Sequence, residues 1–292
     1  MAYRSPFLSG ILVLLTSLLV AQKTSQEALV VPSSEPQFIE QADAVQQETI
    51  QLTLPSSETE NHAAPSLKTV KPRKRDPQLL RVVDQQDIEP RHRQIANDLL
   101  ESIDSGCKNA LLNFYVRYDN PNQRGLGGGS TIIVTGNTED DEFRALVIHE
   151  CGHVIDTGFW QGTISSGTSA FVDGSTPVYN DDLSIDFYAI SWTSSTEKNQ
   201  GWKPSDFVSG YAVSDPFEDF AETFAYFSLQ RDAFEKRAET NSVIRQKLEF
   251  MKAHVNSKKV AQGKSVWNGE VPWDITRLPY TWLGSNTNVV SR

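Results

Sequence analysis

His149-Glu150-Cys151-Gly152-His153 is the stretch on which the reading of this 292-residue chain turns. Its two histidines are four positions apart, so on a helix they share one face, one turn apart. Two imidazoles so placed can reach one Zn²⁺ at about 2.0–2.1 Å each. Glu150, between them, is angled toward a zinc-activated water rather than toward the metal. Such a carboxylate can take the water's proton and hand it to a leaving amine. Gly152 leaves room for a neighbouring element to come close. Cys151 lies about 200° around the helix from His149 and so faces away from the ion. The pattern fixes only three positions, and two histidines on an ordinary amphipathic helix would produce it as well.

The flanking sequence supports a helix inside an α+β domain. Thr138 can cap it, with Asp141 three residues on and the acids of residues 139–142 at the positive end of the helix dipole. Phe143, Leu146, Val147, Val154 and Ile155 follow at helical spacing, and Thr157-Gly158 ends the run. Upstream, Ile95, Leu99, Leu100 and Ile103 predict a helix over residues 88–103, with Gly106 as its stop. Alternation of Leu112, Phe114, Val116 and Tyr118 predicts a strand, and the β-branched residues 130–135 predict another. The glycine-rich residues between them (120–129) have turn chemistry. Downstream, residues 159–210 are rich in Gly, Ser and Thr, with a strand expected around Asp186 to Trp192. Asp215 and Pro216 open a further helix through Phe220, Phe224 and Phe227. A last one is expected over residues 243–255, before an aromatic tail near Trp282.

A catalytic zinc needs a third protein ligand. Six residues beyond His153 stands Phe159, so no third histidine follows at that spacing. Asp156 shares the helix face but lies about 10 Å along the axis from His149, at 1.5 Å per residue. It reads either as an outer group around the metal or as helix surface. His62, His92 and His254 sit in linker or among charged neighbours and are set aside. Glu218 and Glu222, four apart on the next strong helix, share a face. One can bind zinc while the other orients a histidine through its free N–H. Glu218 could equally be a capping-box partner of Asp215, and Glu222 a solvated residue. Helix geometry leaves these open.

The run from Tyr211 through Asp215, Pro216 and Glu218 to Glu222 resembles the second motif of the anthrax lethal factor and Pro-Pro endopeptidase family of gluzincins. There a tyrosine precedes the glutamate ligand by seven and a second glutamate follows by four. His149 through Asp156 resembles that family's first motif. The resemblance covers residues 130–230 and implies a zincin-like metalloprotease domain with Zn²⁺ as cofactor. It further implies that Glu218 is the third ligand and that Tyr211 stabilises the substrate oxyanion. Glu222 and Asp156 would then stand behind the ligands. The insert over residues 159–210 has no counterpart, so substrate preference does not carry over. Residues 130–135 occupy the place where zincins keep an edge strand that pairs with extended substrate.

Residues 1–21 begin with Arg4 and an apolar run, and read as a signal peptide or an uncleaved N-terminal anchor. Residues 22–77 have the composition of a disordered polar linker, with a basic cluster at residues 71–75. The metallopeptidase domain is expected over residues 78–285, followed by a short tail, 286–292. A net charge of −10 with no basic stripe inside the expected folded domain argues against nucleic acid as partner. An exported chain with two cysteines, Cys107 and Cys151, can hold a single disulfide, although two buried thiols fit almost as well. The function expected is hydrolysis of internal peptide bonds of extracellular protein or peptide. The rivals are a peptidoglycan-directed amidase or peptidase and a non-catalytic zinc-containing binding protein.

Overall fold

The computed structural model describes residues 76–120, 122–256 and 259–284. The expected signal segment, the linker apart from its last two residues, and the tail lie outside them. Pro90 starts α1 (Pro90–Ser102), which buries Ile95, Leu99 and Leu100 as their spacing requires. Gly106 is not its stop. Asp104 accepts a hydrogen bond from the Gly106 N–H (2.7 Å) and caps a second short helix, α2 (Ser105–Ala110). A Cβ on Gly106 would stand 2.8 Å from the Phe159 ring, so the glycine serves close packing instead of termination.

Next comes a three-stranded sheet. β1 (Asn113–Arg117) buries Phe114 and Val116, and β3 (Thr131–Thr135) runs parallel to it, Asn113 opposite Thr131. The glycine-rich residues expected as a turn form β2 (Gly125–Gly128), antiparallel to β3, with Gly128 opposite Thr131. The strand order β1-β3-β2 puts β3 in the middle, which corrects the expectation of an edge strand at residues 130–135. The edge next to the helix that carries His149 and His153 is β2. The turn itself is confined to Gly129 and Ser130, and Gly129 has φ +52°, a conformation that suits glycine.

The helix α3 (Asp140–Val154) carries His149, Glu150 and His153. Thr138 does not cap it: the helix begins after Glu139, and the Thr138 hydroxyl is buried without a partner. Asp140, Asp141 and Glu142 fill its first turn, where the dipole favours acids. Instead of stopping at Thr157, the chain makes a π-helical turn, Ile155–Phe159. The Thr157 hydroxyl donates to the His153 carbonyl (2.9 Å) and accepts from the Gly129 N–H (2.8 Å), pinning the β2–β3 turn to the end of α3.

The insert contains a hairpin, β4 (Thr168–Asp173) and β5 (Thr176–Tyr179), then α4 (Ser184–Tyr188). The strand expected around Asp186 to Trp192 is therefore a helix and a turn. Asp182 accepts from the Ser184 N–H (2.8 Å), and Ser184, Phe187 and Tyr188 are buried at a helical spacing that the mixed aromatic content obscured. Asp215 caps α5 (Pro216–Leu229), accepting from the N–H groups of Phe217 and Glu218. Then follow α6 (Arg231–Ala238), α7 (Ser242–His254) and an antiparallel pair, β6 (Ala261–Gly263) with β7 (Tyr280–Trp282). The result is a mixed α+β fold. Among the described residues, no helix is long and apolar enough to cross a membrane.

Two close contacts fix α3. A Cβ on Gly152 would stand 2.7 Å from the Ala221 Cα, so only glycine lets α5 approach this far. On the opposite side Cys151 is bonded to Cys107 of α2. The bridge joins cysteines 44 positions apart. Closing a loop of that size is worth about 3–4 kcal/mol. The double variant Cys107→Ala/Cys151→Ala should lose stability of that order in a denaturant titration, and an unchanged midpoint would show that the bridge adds nothing.

Candidate metal centre

The α3–α5 approach brings three donor groups to one point. Glu218 Oε2 lies 3.2 Å from His149 Nε2 and 3.4 Å from His153 Nε2. The three donor atoms all lie within 4.8 Å of one another. A tetrahedral ion with bonds of about 2.0–2.1 Å separates its ligand atoms by about 3.3–3.4 Å, close to the distances seen. Glu218 Oε2 is also buried and receives no directed hydrogen bond. A carboxylate oxygen so placed can receive a cation, and two imidazole nitrogens with one carboxylate oxygen is a donor set that suits Zn²⁺.

The electrostatics point the same way. Burial alone would lower the His149 imidazole, but Glu218 and Glu222 outweigh it and hold its pKa well above the ordinary value. His153 is raised against burial chiefly by Glu218. Burial likewise opposes ionisation of Glu218, yet His153 and His149 hold its carboxyl well below the usual range. A cluster that attracts protons this strongly offers the same attraction to a divalent cation in their place.

Glu222 is fully buried behind the cluster. Its Oε1 is 3.0 Å from His149 Nδ1, while its Oε2 accepts from Ser209 Oγ (2.5 Å) and the Ile275 N–H (3.0 Å). With Nδ1 held by Glu222, His149 has Nε2 free to face the centre. The two glutamates that helix geometry left open are thus separated. Glu218 faces the histidines' ε nitrogens, and Glu222 faces the back of one ring.

Glu150 is buried beneath β2, and the glycines of that strand make its room. A Cβ on Gly125 would stand 1.9 Å from Glu150 Oε1, and one on Gly127 would stand 2.7 Å from Oε2 and from the Glu150 carbonyl oxygen. Burial raises the Glu150 pKa, and the neighbouring His149 and His153 oppose that rise. Tyr211 sits in a 3₁₀ turn, Tyr211–Val213, and donates from its hydroxyl to Glu218 Oε1 (3.0 Å). Its ring lies 6.1 Å from that of His149. Burial, reinforced by the Glu218 charge, pushes its pKa up, so the phenol keeps its proton at neutral pH.

Asp156 is not helix surface: it is buried in the π-helical turn, and its Oδ1 accepts from the Tyr188 hydroxyl (2.7 Å) of the insert. Burial lifts its pKa to about 7. Among the described residues no hydrogen bond joins it to either histidine, so its direct partner is the insert. His92 stacks on Phe143 and shares a hydrogen bond with the Tyr118 hydroxyl, and His254 stacks on Phe250. Neither joins the cluster, and His62 lies outside the described residues. Sequence reasoning missed Gly125, Gly127, Ser209 and Ile275. The glycines carried a signal, since small residues two apart in a strand mark a close approach on one face. Nothing in the sequence distinguishes Ser209 or Ile275.

Residues 138–278 match the model of a family described as "Putative zinc-binding metallo-peptidase". No curated protein and no solved structure is significantly similar to the chain. The match spans both helices of the cluster and supports a zinc-dependent peptidase at that level. Zinc is the cofactor on which the family description and the donor set agree. The match does not extend to the lethal factor and Pro-Pro endopeptidase resemblance.

Elemental analysis of the purified protein should find about one zinc per chain. Glu218→Ala should lose it, and Glu222→Ala should weaken binding roughly 10- to 100-fold. A Glu222 variant that loses metal while the Glu218 variant keeps it would reverse their roles. Because the metal-free His149 and His153 imidazoles have raised pKa values, protons compete with zinc for them, and zinc affinity should weaken progressively as pH is lowered below those values. Zinc retained unchanged in acid would contradict the histidine ligands.

Proposed function

We propose that this chain is a zinc-dependent endopeptidase of the gluzincin type, acting outside the cell on protein or peptide substrates. The observation that carries the proposal is the buried Glu150 carboxylate beside a three-donor cluster whose third member, Glu218, also receives the Tyr211 hydroxyl. A purely structural zinc site would need neither Glu150 nor Tyr211. The spacing of Tyr211, Glu218 and Glu222 supports the gluzincin reading. Export is proposed from residues 1–21 and agrees with the Cys107–Cys151 disulfide, a bond that persists in oxidising compartments.

Zinc, when bound, supplies a Lewis acid that polarises the scissile carbonyl and makes water nucleophilic near neutral pH. His149, His153 and Glu218 would hold the ion, and Glu222, against Nδ1, would fix the His149 ring so that Nε2 presents its lone pair. Glu150 accepts a proton from the attacking water and passes it to the leaving amine nitrogen as the C–N bond breaks. Tyr211 turns its hydroxyl hydrogen from Glu218 to the oxyanion that develops on the former carbonyl oxygen, a contact stronger in the transition state than in the ground state. Among the described residues β2 is paired on one side only, by β3. An extended substrate backbone can add to its other edge, directly over Glu150.

Digestion of quenched fluorescent casein tests the reaction. Glu150→Ala should keep zinc and fold yet abolish turnover, and full activity in that variant would end the mechanism. Gly125→Ala should also keep zinc while losing most activity, because its methyl displaces the Glu150 carboxylate. Tyr211→Phe should lower kcat by roughly 10²-fold with zinc retained. Digestion of cell-wall material but not of casein would favour a wall hydrolase on the same site.

A further inference from the structure

Glu222 does more than face His149. Its second carboxylate oxygen accepts from Ser209 Oγ, and the same hydroxyl oxygen accepts from the Ala212 N–H (3.0 Å). Ser209 therefore closes the turn Ser209-Gly210-Tyr211-Ala212 and fastens it to the carboxylate that holds a ligand ring. Ser209 is fully buried. A strap of residues 272–275 backs the turn from the other side. The Pro272 and Trp273 carbonyls accept from the Gly210 and Tyr211 N–H groups (2.8 Å each), and the Ile275 N–H donates to Glu222 Oε2. Gly210 lies so close to the strap that a Cβ there would stand 2.5 Å from the Trp273 ring. The strap is held to the start of β2 by Asp274, which pairs with Arg124.

We propose that Ser209 is a positioning residue for Tyr211, and that Glu222 is the shared anchor setting both the His149 ring and the Tyr211 hydroxyl. The phenol must stand within hydrogen-bond reach of a developing oxyanion, and its turn has two fastenings. The strap holds the backbone at residues 210–211. Ser209 fixes how that backbone is tilted toward the cluster. A serine that merely satisfied a buried carboxylate would affect Glu222 and stability but leave Tyr211 where it is.

The test uses the full chain carrying 3-fluorotyrosine, whose eight tyrosines give separate ¹⁹F signals, with Tyr211→Phe identifying the one of interest. Ser209→Ala should retain zinc while shifting or broadening the Tyr211 signal and leaving the other seven in place. Ser209→Thr, which restores the hydroxyl, should return it. An unmoved Tyr211 signal in folded, zinc-loaded Ser209→Ala would overturn the proposal. Ile275→Pro gives a second route if that variant does not fold. Ile275 is the first residue of a 3₁₀ turn, Ile275–Arg277, a position that tolerates proline, and the change removes the N–H bound to Glu222. It should move the Tyr211 signal, whereas Ile275→Val should not, and an unmoved signal in both would again overturn the shared anchor.

A kinetic arm rests on the peptidase reading above. Ser209→Ala should lower kcat for casein roughly tenfold with KM unchanged. In the Tyr211→Phe background the same substitution should cost nothing more, because the group it positions is gone. Equal losses in both backgrounds would overturn the proposal. A wild-type protein inert toward casein would count against the peptidase reading alone, and the fluorine signals would still decide the role of Ser209.

Discussion

The approach of α5 to α3 at Gly152 is the constraint on which the site depends. With any side chain at that position the Ala221 backbone would be pushed away, and Glu218 and Glu222, on either side of Ala221 along the chain, would retreat from His149. The distances that matter to a metal are tenths of an ångström, whereas a methyl group forces a shift of the helix axis. One missing side chain thus sets how Glu218 and Glu222 meet His149 and His153. The neighbouring residue, Cys151, secures the far side of the same helix turn through Cys107. Two consecutive residues, Cys151 and Gly152, thus hold α3 by a covalent bond and a backbone contact, and the next, His153, joins the donor cluster.

Burial gives the cluster its chemistry. Carboxylates and imidazoles removed from water are costly unless they face opposite charge, and here they are arranged around one point. Beside this cluster a second buried pair, Lys247 with Asp219, holds α7 to α5 one residue along from Glu218, and Trp192 of the insert donates to the same carboxylate. Burial disfavours the charged form of both partners, and each counters the other's shift. The helix turn that carries Glu218 is therefore anchored from behind by an ion pair that belongs to the fold, while the Glu218 carboxylate belongs to the candidate site.

Much of this was legible in the sequence because short-range rules govern it. The i, i+4 spacing of His149 and His153, the cap at Asp215 and the proline that follows it depend only on helix geometry, and the structure keeps them. The choice between Glu218 and Glu222 was not legible in that way, since both lie on one helix face. What separates them is contact with Ser209 and Ile275, which are distant in the chain. β2 was hidden because glycine has no strand propensity of its own and reads as a turn. The presence of Glu150 underneath explains why Gly125 and Gly127, which face it, lack side chains. The helix α4 was missed for the converse reason: Phe187, Tyr188 and Trp192 favour strands, and packing against the core overrode that preference.

The glycines of β2 carry a consequence for how this cleft can diversify. Positions 125 and 127 are closed to variation, because every side chain there would occupy the space of Glu150. The wall nearest the proposed reaction is thus chemically featureless and can grip only a backbone. Between these glycines Leu126 is exposed. On the proposed reading, preferences for substrate side chains have to be acquired at that position on the strand, or in the loops and hairpin of the insert, where a new side chain does not occupy the space of Glu150.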